Sequence, residues 1–172
     1  MGVIEPGAQA AVLATKNHKI AVLGTQGTVQ SKAYVKAIKK YNKNATVFQK
    51  ACPLFVPLAE EGFTHKPAAE LIAREYLQPV KKSQADTVIL GCTHYPILKH
   101  LLARILGPRV KLVDSAHTLA VAAKRFLADK KLAATTGKGR IQLYASDSPD
   151  KFAVSAKKLL KLPTARTTLK KL

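Results

Sequence analysis

Thr87–Leu90 is a four-residue apolar and β-branched run, closed by Gly91 and followed by Cys92, Thr93, His94 and the pair Tyr95-Pro96. A run without polar alternation suits a strand covered on both faces, the usual condition of a parallel sheet. Proline fits the first helical turn, so Tyr95-Pro96 predicts a helix start. Ile97, Leu98, Leu101, Leu102, Ile105 and Leu106 then form its apolar face. Thiol, hydroxyl and imidazole are thus expected where open α/β sheets hold their ligands, at the carboxyl end of a strand.

The same alternation recurs along the chain. Strands are expected at residues 19–24, 46–50, 110–113 and 141–145, and helices at 66–80, 116–130 and 149–160. Pro6 suits the start of an Ala-rich helix that runs toward residue 14. Two prolines break the run from Cys52 to Leu58 into short helical turns. Strand–helix alternation with short connections implies right-handed parallel βαβ units. Asp114 stands where it can cap the helix that follows it, and residues 133–139 read as a small-residue linker. After Lys151 no acidic residue occurs, and residues 164–172 read as a basic, disordered tail.

Cys92 and His94 are two residues apart, so an extended backbone would point both side chains the same way. An imidazole can trade protons with a thiol, and the opening turn of a helix favours the thiolate. The plain alternative is a structural cysteine beside a surface histidine. Cys52 sits among apolar residues and is expected to be inert. Cys52, His65, Cys92 and His94 lack the tight paired spacing of a metal site, so no metal is expected. In Gly24-Thr25-Gln26-Gly27-Thr28, Thr28 can cap a helix beginning near Val29, while free amides and two hydroxyls could cradle a carboxylate. Both readings fit that turn. On composition alone Glu60 and Glu61 are surface charges.

The chain has 172 residues, 47% of them hydrophobic, enough for one domain or for one domain and part of another. Its formal charge of +19, from 29 basic and 10 acidic residues, would attract nucleic acid or anionic surfaces. The lysines are nevertheless dispersed: Lys32, Lys36, Lys39, Lys40 and Lys43 lie opposite Tyr34, Ala37, Ile38 and Tyr41, as on a solvated helix face. Aromatics make up only 6% of the chain, which argues against a single-strand stacking platform. No leader peptide, apolar span or disulfide framework is read from the sequence, so a cytoplasmic protein without membrane contact is expected.

Four segments carry a family resemblance. G-C-T-H-Y-P at residues 91–96 resembles the second cysteine motif of the aspartate/glutamate racemase family. G-V-I-E-P-G-A at 2–8, G-T-Q-G-T-V at 24–29 and A-C-P-L-F-V-P-L-A-E-E-G at 51–62 agree with it in order. The turn at residues 145–149 resembles the family's last strand-to-helix junction. The resemblance implies an α/β fold, with residues 1–113 as a parallel-sheet, three-layer, flavodoxin-like racemase domain. Residues 114–163 would be the C-terminal portion of a second, incomplete domain of similar kind.

It also implies a chemistry. Members invert the α-carbon of glutamate without a cofactor, supplying D-glutamate for peptidoglycan. One thiolate removes the α-proton and a second thiol returns a proton from the far side. Cys92 would be one base, His94 its partner and Glu60 an auxiliary acid, while Thr25, Thr28 and Thr93 would bind L- or D-glutamate. Set against the family pattern, the chain is expected to lack the N-terminal third, with its Asp-Ser-Gly, Pro-Tyr-Gly and Cys-Asn-Thr segments, and Met1 reads as an internal start. Activity of the chain by itself is then in question. Apolar helix faces left open would favour association, for example as a homodimer. The alternatives are a catalytically dead binding or regulatory fragment and, on the basic charge, a nucleic-acid-associated protein.

Overall fold

The strand-forming runs assemble into one parallel sheet in the computed structural model, which describes residues 1–137, 139–160 and 166–170, with side chains through 157 in the second stretch. β1 (Lys19–Gly24), β2 (Thr46–Ala51), β3 (Thr87–Leu90) and β4 (Lys111–Asp114) lie in the order β2-β1-β3-β4. Ile20 pairs with Thr87 and Leu23 with Leu90, so the carboxyl ends of β1 and β3 are level. The chain leaves β1 toward β2 on one side and crosses back to β3 on the other. The strand order therefore switches between β1 and β3, the place where such sheets bind ligands.

Period-two alternation divides the core into two layers. Ala21, Leu23, Val88 and Leu90 face α4 (Phe55–Glu60), α5 (Pro67–Lys82) and α6 (Lys99–Leu106), packing against Phe55, Leu58, Ala73, Leu77 and Leu102. Ile20, Val22 and Ile89 point the other way, toward α1 (Ile4–Ala14) and α3 (Ala33–Tyr41), where they meet Ala8, Ala11, Tyr34 and Ile38. This is the expected three-layer, flavodoxin-like arrangement. Small residues on α1 allow its close approach. A Cβ on Gly7 would stand 2.8 Å from the Ser115 hydroxyl.

At the amino end of the sheet Asp86 ties the loop before β1 to β3. Its carboxylate accepts from the Thr15 hydroxyl and from the Lys16 and Asn17 amides at 2.6–2.8 Å. Those bonds hold its carboxyl below the usual range, although partial burial works against them. At the other end Asp114 caps α7 (Ser115–Asp129) as expected, accepting from the Ala116 and His117 amides at 2.9 and 3.1 Å. α7 packs on α1, and residues 1–133 form one compact unit that includes it.

Residues 134–172 form a second unit, with β5 (Leu143–Ala145), α8 (Pro149–Leu160) and β6 (Thr167–Leu169). β5 and β6 pair in parallel with α8 as the crossover, a remnant-sized α/β piece beside the main sheet's own unit in sequence. The segment read as a disordered tail thus contains a strand. Thr167 and Thr168 are β-branched and suit one, and the reading from charge alone overlooked them. Residues 164–165 and 171–172 of that segment lie outside the described residues, as does Lys138 of the linker.

Among the described residues no helix is long and apolar enough to cross a membrane.

Candidate active site

Gly91 sets the path of the chain beyond β3. Its amide donates to the Leu23 carbonyl at 2.8 Å. A Cβ there would meet that same oxygen at 2.9 Å and the Tyr34 ring at 3.0 Å. The strand can leave the sheet at this point only without a side chain. Cys92 follows, half-buried, then exposed Thr93 and half-buried His94. His94 has helical dihedrals (φ −83°, ψ −24°) at the mouth of a 3₁₀ turn over Tyr95–Leu98, ahead of α6. The expected extended geometry is therefore absent, and the proline opens a tight 3₁₀ turn instead of an α-helix.

The turn still brings the pair together. Cys92 Sγ lies 4.0 Å from His94 Nδ1, and Thr93 Oγ1 lies 3.4 Å from the same nitrogen. The far ring nitrogen, Nε2, lies 3.1 Å from Glu60 Oε1 at the end of α4. A carboxylate only accepts, so Glu60 favours the tautomer with its hydrogen on Nε2. Nδ1 is then free to accept a proton from sulfur. Thiol, imidazole and carboxylate thus stand in line, three groups drawn from two elements. Glu60, a surface charge by composition, gains this place from α4.

On the neighbouring strand end, Thr25 and Thr28 stand together, their hydroxyls 3.0 Å apart. The capping residue is Thr25, not Thr28. Its Oγ1 accepts from the Thr28 amide at 3.3 Å, and α2 (Gln26–Ser31) begins one residue later. Gly27, expected in the turn, lies inside this helix.

Cys52 is fully buried against Phe55, Leu58 and the α5 side chains. Its thiol donates weakly to the Lys50 carbonyl at 3.6 Å. Burial pushes it up from 9.0 to about 12, with Lys50 pulling modestly the other way. The sign of the linkage follows: the folded state keeps the proton after the unfolded chain has lost it, so stability is complete below pH 9 and falls between 9 and 12. We expect the unfolding free energy to drop by at most about 1.4 kcal/mol per pH unit in that window. Urea titrations from pH 8.5 to 10.5 check this. Cys52→Ala should flatten the curve up to about pH 10, where the buried tyrosines Tyr34 and Tyr95, also raised by burial, begin to contribute. An equal slope in both proteins would place the titrating group elsewhere.

One residue of the motif has a larger part than the sequence suggested. The sequence marks Tyr95 only as the opening of a helix, yet it is fully buried. Its hydroxyl donates to the carbonyls of Gly24, at 2.9 Å, and Cys52, at 2.8 Å. The available signal was an aromatic residue with a polar tip placed between buried strand ends.

A parallel sheet covered on both faces, with a thiol, an imidazole and a carboxylate in line at its switch point, defines a three-layer α/β protein. A profile of the family described as Asp/Glu/Hydantoin racemase matches residues 1–123, and the chain belongs to that family. A glutamate racemase of Geobacter metallireducens is 46% identical over 153 residues, covering 88% of this chain and 57% of that protein. The crystal structure of a glutamate racemase isoform of Bacillus anthracis superposes with a TM-score of 0.91 at 31% identity, covering all of this chain and 64% of that one. A Francisella tularensis glutamate racemase in complex with D-glutamate gives 0.88 at 33% identity, over 98% of this chain and 62% of that one.

The chain therefore spans about three fifths of the length of the relatives it matches. These figures correct the expectation of a chain lacking the N-terminal third. The family profile is already matched at residue 1, and three solved glutamate racemases are covered over 62% of their length. What stands is the shared length, with no assignment of the remainder to the N-terminal side.

Proposed function

We propose that the chain belongs to the machinery of glutamate racemase chemistry, the cofactor-independent interconversion of L- and D-glutamate in the cytoplasm that supplies D-glutamate for peptidoglycan, and that by itself it carries one side of that reaction. The observation that carries this reading is the Cys92–His94–Glu60 relay at the switch point of a racemase-family sheet. In this reading the Cys92 thiolate removes the α-proton of one enantiomer. His94 exchanges protons with the sulfur, and Glu60 orients and balances the imidazole. Thr25, Thr28 and Thr93 hold the substrate by hydrogen bonds. Proton transfer by a positioned side chain needs these groups within direct reach of one another, and the distances support it.

Inversion requires a second proton donor on the opposite face of the carbon. The sequence has two cysteines, and Cys52 is buried and held protonated. The chain thus offers one accessible thiol, and one-sided exchange without inversion is its expected activity in isolation. Incubation of L- and D-glutamate separately in D₂O, followed by proton NMR of the α-hydrogen and by chiral chromatography, tests this. Exchange into one enantiomer with its configuration kept is the expected result, with alanine as an inert control. Full racemisation would mean that a second base has been overlooked, and no exchange into either enantiomer would remove the proposal.

A further inference from the structure

We propose that Tyr95 is a positioning residue that sets the alignment of the Cys92–His94–Glu60 relay, acting through three strand ends. The inference rests on the reading of that relay as the reactive centre. Three segments must hold fixed relative positions for the relay and the threonine pair to stand side by side: the end of β1, the end of β2 with α4, and the end of β3. The Tyr95 hydroxyl touches the first two and the residue itself belongs to the third.

The contacts form a closed set. The Gly24 carbonyl accepts from the Cys52 amide at 2.9 Å and from the Tyr95 hydroxyl at 2.9 Å. The Cys52 carbonyl accepts from the Phe55 amide at 3.1 Å, where α4 begins, and from the same hydroxyl at 2.8 Å. The Tyr95 amide in turn donates to the Cys92 carbonyl at 3.1 Å. One hydroxyl hydrogen is shared between the two carbonyls, so its loss would loosen both.

Packing fixes the ring as firmly as the hydrogen bonds fix its tip. Phe55, the first residue of α4, meets the Tyr95 ring edge to face, with centroids 5.3 Å apart at 86°. The last residue of α4 is Glu60, the partner of His94. Tyr95 therefore holds both ends of the relay: its own backbone follows His94 directly, and its ring and hydroxyl seat the helix that presents Glu60. Burial keeps the phenol protonated far into the alkaline range, so the donor persists wherever the thiol works.

Tyr95→Phe keeps the ring and leaves each carbonyl its amide donor, so the full chain is expected to fold. The readout is the rate of Cys92 alkylation by iodoacetamide, followed by mass spectrometry with the Cys52 peptide as internal reference. Four proteins complete a cycle: wild type, Tyr95→Phe, His94→Ala and the double variant. Tyr95→Phe should slow alkylation about tenfold, within the ~10²-fold that a 1 Å misplacement can cost. The double variant should match His94→Ala alone, because the tyrosine acts through the histidine. A purely structural role would lower the denaturation midpoint but leave the alkylation rate unchanged, which overturns the proposal. Multiplicative slowing in the double variant overturns it too. No effect of His94→Ala would reject the relay itself, and with it the positioning role. Should Tyr95→Phe fail to fold, Phe55→Leu, which loosens the ring's seat, takes its place in the cycle under the same criteria.

Discussion

Replacing Cys92 with serine is expected to lower exchange of the glutamate α-hydrogen by about 10²–10⁴, the usual contribution of a positioned acid–base group. Serine keeps the shape of the side chain and removes the acidity, so the loss reports chemistry and not packing. Half-burial of Cys92 leaves room for an isosteric change without a cavity. No other thiol can take over, because Cys52 is sealed from solvent. Glu60→Gln should cost less than Cys92→Ser. It keeps a hydrogen-bonding group near His94 Nε2 but removes the charge that selects the tautomer. Deuterium uptake measured by NMR orders the two variants. A Cys92→Ser protein that exchanges at the wild-type rate would assign the base to another group and would leave the relay a structural feature.

The reading of the fold from sequence held wherever a local pattern was also the global one. Thr87–Leu90 could be recognised as a doubly covered strand because both of its faces are apolar, and β1 likewise. Asp114 was legible as a cap because capping is decided within three residues. The Thr25–Thr28 turn was misread by one helical turn, since either threonine satisfies the same local rule and only tertiary placement chooses between them. β6 was missed for a related reason. Three residues among lysines carry little local signal, and its strand character comes from pairing with β5.

The candidate site shows the same division. Cys92, Thr93 and His94 are contiguous, and chemistry alone drew attention to them. Glu60 was reached only through the family resemblance, because nothing in its own neighbourhood marks it. Tyr95 escaped both routes. Its two hydrogen-bond acceptors are 43 and 71 residues away in sequence, a separation that no local pattern can express. Leu13, Val121, Phe126 and Leu127 on α1 and α7 are exposed apolar residues. Their presence is a property of the fold as a whole, decided by which helix faces find a neighbour.

Phe55→Ala is expected to cost about 3–5 kcal/mol of unfolding free energy, the range for removing a buried aromatic ring. Phe55 is fully buried between two other rings, meeting Tyr76 and Tyr95 edge to face with centroids 5.3 Å away in each case. A domain of this size is stabilised by roughly 5–15 kcal/mol, so the variant would lose a substantial part of its margin. Phe55→Leu refills most of the space and should cost on the order of 1–2 kcal/mol. The consequence extends past stability, because α4 starts at this residue and ends at Glu60. A helix without its anchor can rotate, and the 3.1 Å link from Glu60 to His94 depends on its orientation. Urea denaturation gives the energetic loss, and the rate of Cys92 alkylation under native conditions gives the positional one. The two should fall together in Phe55→Ala. A loss of stability with an unchanged alkylation rate would show that α4 keeps its place by other contacts, and that the aromatic cluster supports the core without governing the relay.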